Sequence, residues 1–138
     1  ILPITNPFLT PDTIRKSFNS LKKNKNINSI ASITEANIHP FMFVDFKKKF
    51  IFNKFNIKQD KFKNINRSQD LPKTYTESAA IRITKTKFFL KYINNKNPNF
   101  SKKPLDRNNC LPIKIGFKES HDINTKFDFE VAKILNNF

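Results

Sequence analysis

One carboxylate in this sequence stands where chemistry could use it. Asp122 lies in Ser120-His121-Asp122-Ile123-Asn124-Thr125, between a strand expected over 111–117 and a helix expected from Lys126 onward. An acid at the carboxyl end of a strand in an α/β chain can hold a metal ion or a ligand. It can also cap a turn, and the spacing leaves both readings open. The polar pair Thr5-Asn6 follows the apolar run Ile1-Leu2-Pro3-Ile4 and has the same placement, at the ligand-facing end of an expected parallel strand. Other reactive types are sparse. His39 and His121 lack metal-ligand spacing and read as structural. Cys110 is the only cysteine, which excludes an internal disulfide and a thiolate cluster.

The elements that must position these residues follow from pattern. Thr10 is an N-cap, Pro11 takes the first helical position, and Ile14, Phe18 and Leu21 recur at i, i+4 and i+7. That helix fades in Lys22-Lys23-Asn24-Lys25-Asn26. Residues 27–34 alternate with a β-branched bias and predict a strand. The chain thus opens as strand, helix, strand, a βαβ unit whose crossover should be right-handed. Residues 35–40 read as a loop, 41–52 as a phenylalanine-rich hairpin or two short strands around Lys47-Lys48-Lys49, and 53–66 as a polar loop. A strand at 79–83, a short helix at 86–92, a polar linker at 94–109 and a strand at 111–117 follow. The last helix has Asn124 or Thr125 as its cap, Asp128 and Glu130 in its first turns, and an apolar stripe of Phe127, Val131, Ile134 and Leu135. No internal repeat is visible.

With 138 residues the chain has the length of one domain and can bury a single core. It starts at Ile1 and its only methionine is Met42, which points to further sequence before Ile1. No run reaches the roughly 18 apolar residues of a membrane span, and no signal-peptide pattern is present, so the expectation is a cytoplasmic protein without a membrane partner. Lys plus Arg number 26 against 11 Asp plus Glu, a net charge of +15. Such an excess can mark a nucleic-acid or anionic partner. Here the lysines are scattered, and Asn, Ile and Phe, which share A/T-rich codons with Lys, are also abundant while glycine occurs once, at Gly116. Codon bias is a sufficient cause of much of the charge. Nucleic acid stays open as the weaker expectation.

Several blocks together resemble a known family. Thr5-Asn6-Pro7-Phe8-Leu9-Thr10 looks like Thr-Ser-Pro-Leu-Arg-Thr, and Asn28-Ser29-Ile30-Ala31-Ser32-Ile33-Thr34-Glu35 like Asp-Ser-Val-Val-Ser-Val-Thr-Glu. His39-Pro40-Phe41 is similar to His-Pro-Tyr. Residues 67–83, beginning Arg67-Ser68-Gln69-Asp70-Leu71-Pro72, match Arg-Arg-Gln-Asp-Leu-Pro-Pro-Val-Tyr-Arg-Pro-Asn-Gly-Ala-Ile-Tyr-Ile without a gap, and residues 120–132 match Ser-Val-Asp-Ile-Asp-Thr-Glu-Leu-Asp-Phe-Glu-Leu-Ala. In this order the blocks resemble the acylneuraminate cytidylyltransferase family, whose members make CMP-sialic, CMP-legionaminic or CMP-pseudaminic acid. The resemblance covers nearly the whole chain.

The resemblance implies a Rossmann-like nucleotidyltransferase fold, an α/β architecture with a mostly parallel sheet, here as a single partial domain over 1–138 with 41–66 as a hairpin or dimerisation arm. It implies transfer of CMP from CTP to a nonulosonic acid with Mg²⁺, in a homodimer. The implied metal ligands are Asp122 and Asn124, the second standing where the family has Asp. The implied substrate-binding residues are Thr5, Asn6, Arg67, Gln69 and Ser78, with Arg67 able to clamp a carboxylate and Gln69 adding an amide. Several family positions differ: Pro3 stands for a glutamine, Ser68 for an arginine, Ser78-Ala79 for Asn-Gly and Arg82 for a tyrosine. The family's Gly-Ser-Lys-Gly phosphate loop does not occur in the sequence, so the chain is expected to be inactive by itself. The alternative expectation is a non-catalytic basic binding or structural protein that retains the fold and serves a polyanionic or protein partner.

Overall fold

The protein is described from a computed structural model, which covers residues 3–47, 50–53, 65, 67–94 and 105–137. It divides into two compact units, Ile1–Thr34 with Glu77–Phe138, and Glu35–Thr76.

In the first unit, α1 spans Pro11–Lys23. Thr10 has extended dihedrals and its hydroxyl accepts from the Thr13 N–H at 3.3 Å, so the cap expected from sequence forms. Lys22 and Lys23 lie in the last turn, where the dipole favours cations, and the Asn24 N–H closes on the Ser20 carbonyl. The buried face is turned from the expected stripe. Ser17 and Leu21 are buried and Ile14 packs against the core, while Phe18 is 47% exposed beneath the Lys22 ammonium. Burying Ser17 is tolerable because its hydroxyl donates to the Thr13 carbonyl at 2.8 Å.

The sheet has the order β4-β1-β5, with β1 at Ser29–Glu35, β4 at Tyr75–Thr84 and β5 at Cys110–Lys114. The hairpin strands β2 (Val44–Lys47) and β3 (Phe50–Asn53) belong to the other unit. β1 and β5 are parallel, with Ser29 opposite Cys110 and Ile33 opposite Lys114. β4 runs antiparallel to β1: Lys85 bonds to Asn28, Thr84 to Ser29 and Ile81 to Ser32, one number falling as the other rises. The sheet is therefore mixed rather than mostly parallel. A β-branched run satisfies either ladder, so side-chain pattern does not encode strand direction. Residues 29–32 are buried in succession, which replaces the expected alternation by a central strand covered on both faces. Pro112 is tolerated because β5 lies at an edge of this sheet.

Leu21, Ile30 and Ile81 form the core, with Leu9, Ile14, Ile27, Ile83, Leu111 and Ile113 packed against them. Ser32, fully buried beside them, places its hydroxyl to accept from the Ile81 N–H at 2.9 Å, with the Ser78 carbonyl 3.2 Å away as acceptor.

The strand expected at the start of the chain is not found among the described residues. Ile1 and Leu2 lie outside them, Ile4 and Thr5 form a turn, and Ile4 is 99% exposed. Pro3 and Pro7 bracket this segment and each removes one backbone donor, so no strand precedes α1 among the described residues. Helix α2 occupies Thr86–Ile93. Past β5 the chain makes one helical turn, α3 at Phe117–Ser120, before α4 at Lys126–Asn136. Asp122 thus follows a helical turn, not a strand end. Helix α4 buries Ala132 and half-buries Asp128, Val131 and Leu135, leaving Phe127 76% and Ile134 59% exposed. Only Val131 and Leu135 of the expected stripe face inward; Phe127, five positions from Ala132, is well off that face.

In the second unit, β2 at Val44–Lys47 and β3 at Phe50–Asn53 pair antiparallel, Val44 opposite Asn53 and Lys47 opposite Phe50. This is the hairpin expected over 41–52. Most of the loop expected at 53–66, and with it much of the arm expected at 41–66, lies outside the described residues, as does 95–104 of the expected linker. Short 3₁₀ turns occur at Pro40–Met42, where His39 Nδ1 accepts from the Phe41 N–H, and at Ser68–Asp70. No helix among the described residues is long and apolar enough to cross a membrane.

Candidate functional site

Two segments far apart in sequence are laced together in the first unit. The Ile123 N–H donates to the Thr5 carbonyl at 2.9 Å, and Asn6 Nδ2 donates to the His121 carbonyl at 2.9 Å. Asp122 lies between the two tied residues. The other side of its loop is fixed by α4. His121 Nε2 lies 2.8 Å from the Asp128 carbonyl; since a carbonyl only accepts, this ring nitrogen carries the proton. Thr125 caps the helix in a complete capping box: its hydroxyl accepts from the Asp128 N–H, and Asp128 Oδ2 accepts from the Thr125 N–H at 2.8 Å. The Asn124 N–H reaches the same oxygen at 3.1 Å. The Thr125 hydroxyl and then the Asn124 N–H hold Asp128 below the usual carboxylate range.

Glu119 ties the start of this loop to α1, accepting from the Thr10 hydroxyl at 2.7 Å and the Thr10 N–H at 3.1 Å. Burial alone would raise its carboxyl, but the hydroxyls of Thr13 and Thr10 outweigh that and hold it below its ordinary value. A carboxylate with a lowered folded value contributes stability that is present above its unfolded value and lost as pH falls through the folded one, here below about pH 4. Thr125→Ala should cost about 1 kcal/mol in urea unfolding at pH 7. The gap between variant and wild type should narrow on acidification, as pH falls through the lowered folded value of Asp128; a gap that stays constant down to full protonation of the carboxylates would exclude the capping role of Asp128.

Asp122 does not cap the helix, because Thr125 does. One of its oxygens, Oδ2, accepts from Asn124 Nδ2 at 3.0 Å. The other, Oδ1, is buried without a partner, and so is Asn6 Oδ1, on a residue only 6% exposed. Asn124 therefore turns its NH₂, not its oxygen, toward the carboxylate. No group of three or more His, Cys, Asp or Glu that could hold a metal occurs among the described residues, so the donors here are one carboxylate and amide oxygens.

The remaining residues expected to bind substrate are placed as follows. Thr5 is exposed and acts through its carbonyl. Ser78 is 6% exposed and its hydroxyl accepts from the Ala80 N–H at 3.2 Å, a role within the strand. Arg67 and Gln69 belong to the other unit, both exposed around the turn at Ser68–Asp70. Gln69 lines a polar cavity of about 340 Å³ together with Glu35, His39, Ser68, Lys73 and Thr74. Lys73 pairs there with Glu35 at 3.1 Å. Sequence reasoning missed Glu119 altogether, since its partner Thr10 is 109 positions away and no local spacing announces the pair.

No protein-family model matches this chain, and no curated protein sequence matches it.

Proposed function

We propose that this chain is a nucleotidyltransferase-like protein of the cytidylyltransferase type, built to transfer CMP from CTP to a nonulosonic acid on a Rossmann-like fold. The observation that supports this reading most is the lacing of Thr5-Asn6 to His121–Ile123. Two blocks that the resemblance assigns to one site, 115 positions apart where Asn6 meets His121, are joined by hydrogen bonds. In the proposed reaction the anomeric hydroxyl oxygen of the sugar acid forms a bond to the α-phosphorus of CTP and gives up its proton to solvent, as the bond to pyrophosphate breaks.

The donors present fit a hard divalent cation. Two buried oxygens, Asp122 Oδ1 and Asn6 Oδ1, lack partners, and oxygen donors suit Mg²⁺. When bound, Mg²⁺ would offset the charge developing on the phosphate oxygens. Asp122 would hold it. Arg67 and Gln69 belong to the other unit, where the guanidinium can clamp a carboxylate in bidentate fashion. Ser78, engaged within β4, would shape the site rather than bind the sugar. The proposal extends to a cytoplasmic homodimer, with 41–66 as the arm.

The phosphate-cradling Gly-Ser-Lys-Gly loop is not in these 138 residues, whose only glycine is Gly116. Turnover is therefore expected only with a polypeptide that supplies it. The chain should release no pyrophosphate from CTP, Mg²⁺ and nonulosonic acids alone, and should do so when mixed with a polypeptide carrying that loop. Absence of release from the mixture with sialic, legionaminic and pseudaminic acids would sink the reading. Steeply salt-dependent RNA binding with no response to CTP would favour the basic binding protein instead.

A further inference from the structure

We propose that Asn6 supplies the second protein oxygen of a divalent-cation site whose carboxylate is Asp122, and that Asn124 is a positioning residue rather than a ligand. The orientation of the Asn6 amide follows from its partner. The His121 carbonyl only accepts, so the NH₂ end of Asn6, 2.9 Å away, must face it, and Oδ1 is the end left over. That oxygen is buried with no donor. An unsatisfied buried acceptor is costly enough that native structures rarely leave one unexplained.

Asp122 Oδ1 is in the same condition. The two residues sit on segments tied on either side of Asp122, at Asn6 to His121 and at Thr5 to Ile123. An amide oxygen and an ionised carboxylate oxygen cannot satisfy each other, since both only accept. A cation between them satisfies both. With so few protein donors, water completes the shell, the arrangement that small, reluctantly dehydrated Mg²⁺ and its analogue Mn²⁺ adopt. Asn124 meanwhile uses its amide hydrogen on Asp122 Oδ2 at 3.0 Å, which fixes the carboxylate's rotation and leaves Oδ1 to the cation.

The inference rests on the nucleotide-transfer reading only for the use to which the cation is put, so binding is measured on the chain alone, with no nucleotide. Mn²⁺ titration followed by the EPR signal of the free ion should show one site per folded chain. Asp122→Asn and Asn6→Ala should each weaken it by about tenfold or more, and Asn124→Ala by no more than about threefold. Circular dichroism establishes which variants fold; Asn6→Ser, which keeps a small polar side chain, replaces Asn6→Ala if the latter does not. Failure of the folded wild type to bind Mn²⁺ would assign the two oxygens to water and overturn the proposal. So would an Asn124→Ala loss as large as that of Asp122→Asn, or wild-type affinity in the Asn6 variant. Pyrophosphate release can fail while this site is present, so the two readings stand or fall separately.

Discussion

Ile30→Ala should destabilise the protein by about 2–5 kcal/mol, measured as a fall in the urea midpoint at constant slope. Ile30 is fully buried in the central strand and touches both the α1 and β4 sides of the core through Leu21 and Ile81. Removing its branched side chain loses transfer energy and leaves a cavity that a three-stranded sheet cannot close by a small shift. Against a total of about 5–15 kcal/mol for a domain, this loss is large enough to leave a substantial fraction unfolded at 37 °C. Phe127→Ala is the control. Phe127 is the bulkier side chain but 76% exposed, so its truncation should cost no more than about 0.5 kcal/mol. Equal losses in the two variants would move the core from β1 to α4 and contradict the fold.

Asn124→Asp should tighten cation binding by roughly fivefold to several hundredfold. A second unit charge about 4 Å from the ion is worth about 4 kcal/mol at an effective dielectric near 20 and about 1 kcal/mol in bulk water. Asn124 is exposed while Asp122 Oδ1 is buried, so the gain falls between these limits. Without a cation the same change is unfavourable: the Asn124 Nδ2 bond to Asp122 is lost and two carboxylates face each other. The variant should therefore be less stable than wild type in a chelator and regain stability as Mn²⁺ is added. Unchanged Mn²⁺ affinity would show that this corner of the loop does not face the ion.

Local chemistry in the chain was legible where a few neighbouring residues suffice. Thr10-Pro11-Asp12 announces α1, and Asn124 or Thr125 announces the start of α4, because capping needs only partners within one turn; the structure selects Thr125 and completes its box with Asp128. The strand over Ser29–Glu35, the short helix at Thr86–Ile93 and the hairpin of Val44–Lys47 with Phe50–Asn53 follow from composition and period. Helix faces were less legible. Phe18, Phe127 and Ile134 fit an apolar stripe by spacing yet face solvent, since spacing says which residues share a side, not which side meets the sheet. Strand direction was illegible for the same kind of reason, and β4 proved antiparallel.

For the candidate site, sequence by itself determined the inventory: the acid Asp122, the amides of Asn6 and Asn124, and a cap at Asn124 or Thr125. Tertiary structure alone decided the arrangement. It laced Asn6 to His121 and Thr5 to Ile123, set Glu119 on the start of α1, and turned the NH₂ of Asn124 toward Asp122 while leaving two buried oxygens without donors. These bonds join residues more than a hundred positions apart, or depend on which end of an amide faces which neighbour. Neither is written in local spacing, because a hydrogen bond's geometry exists only once the chain has packed.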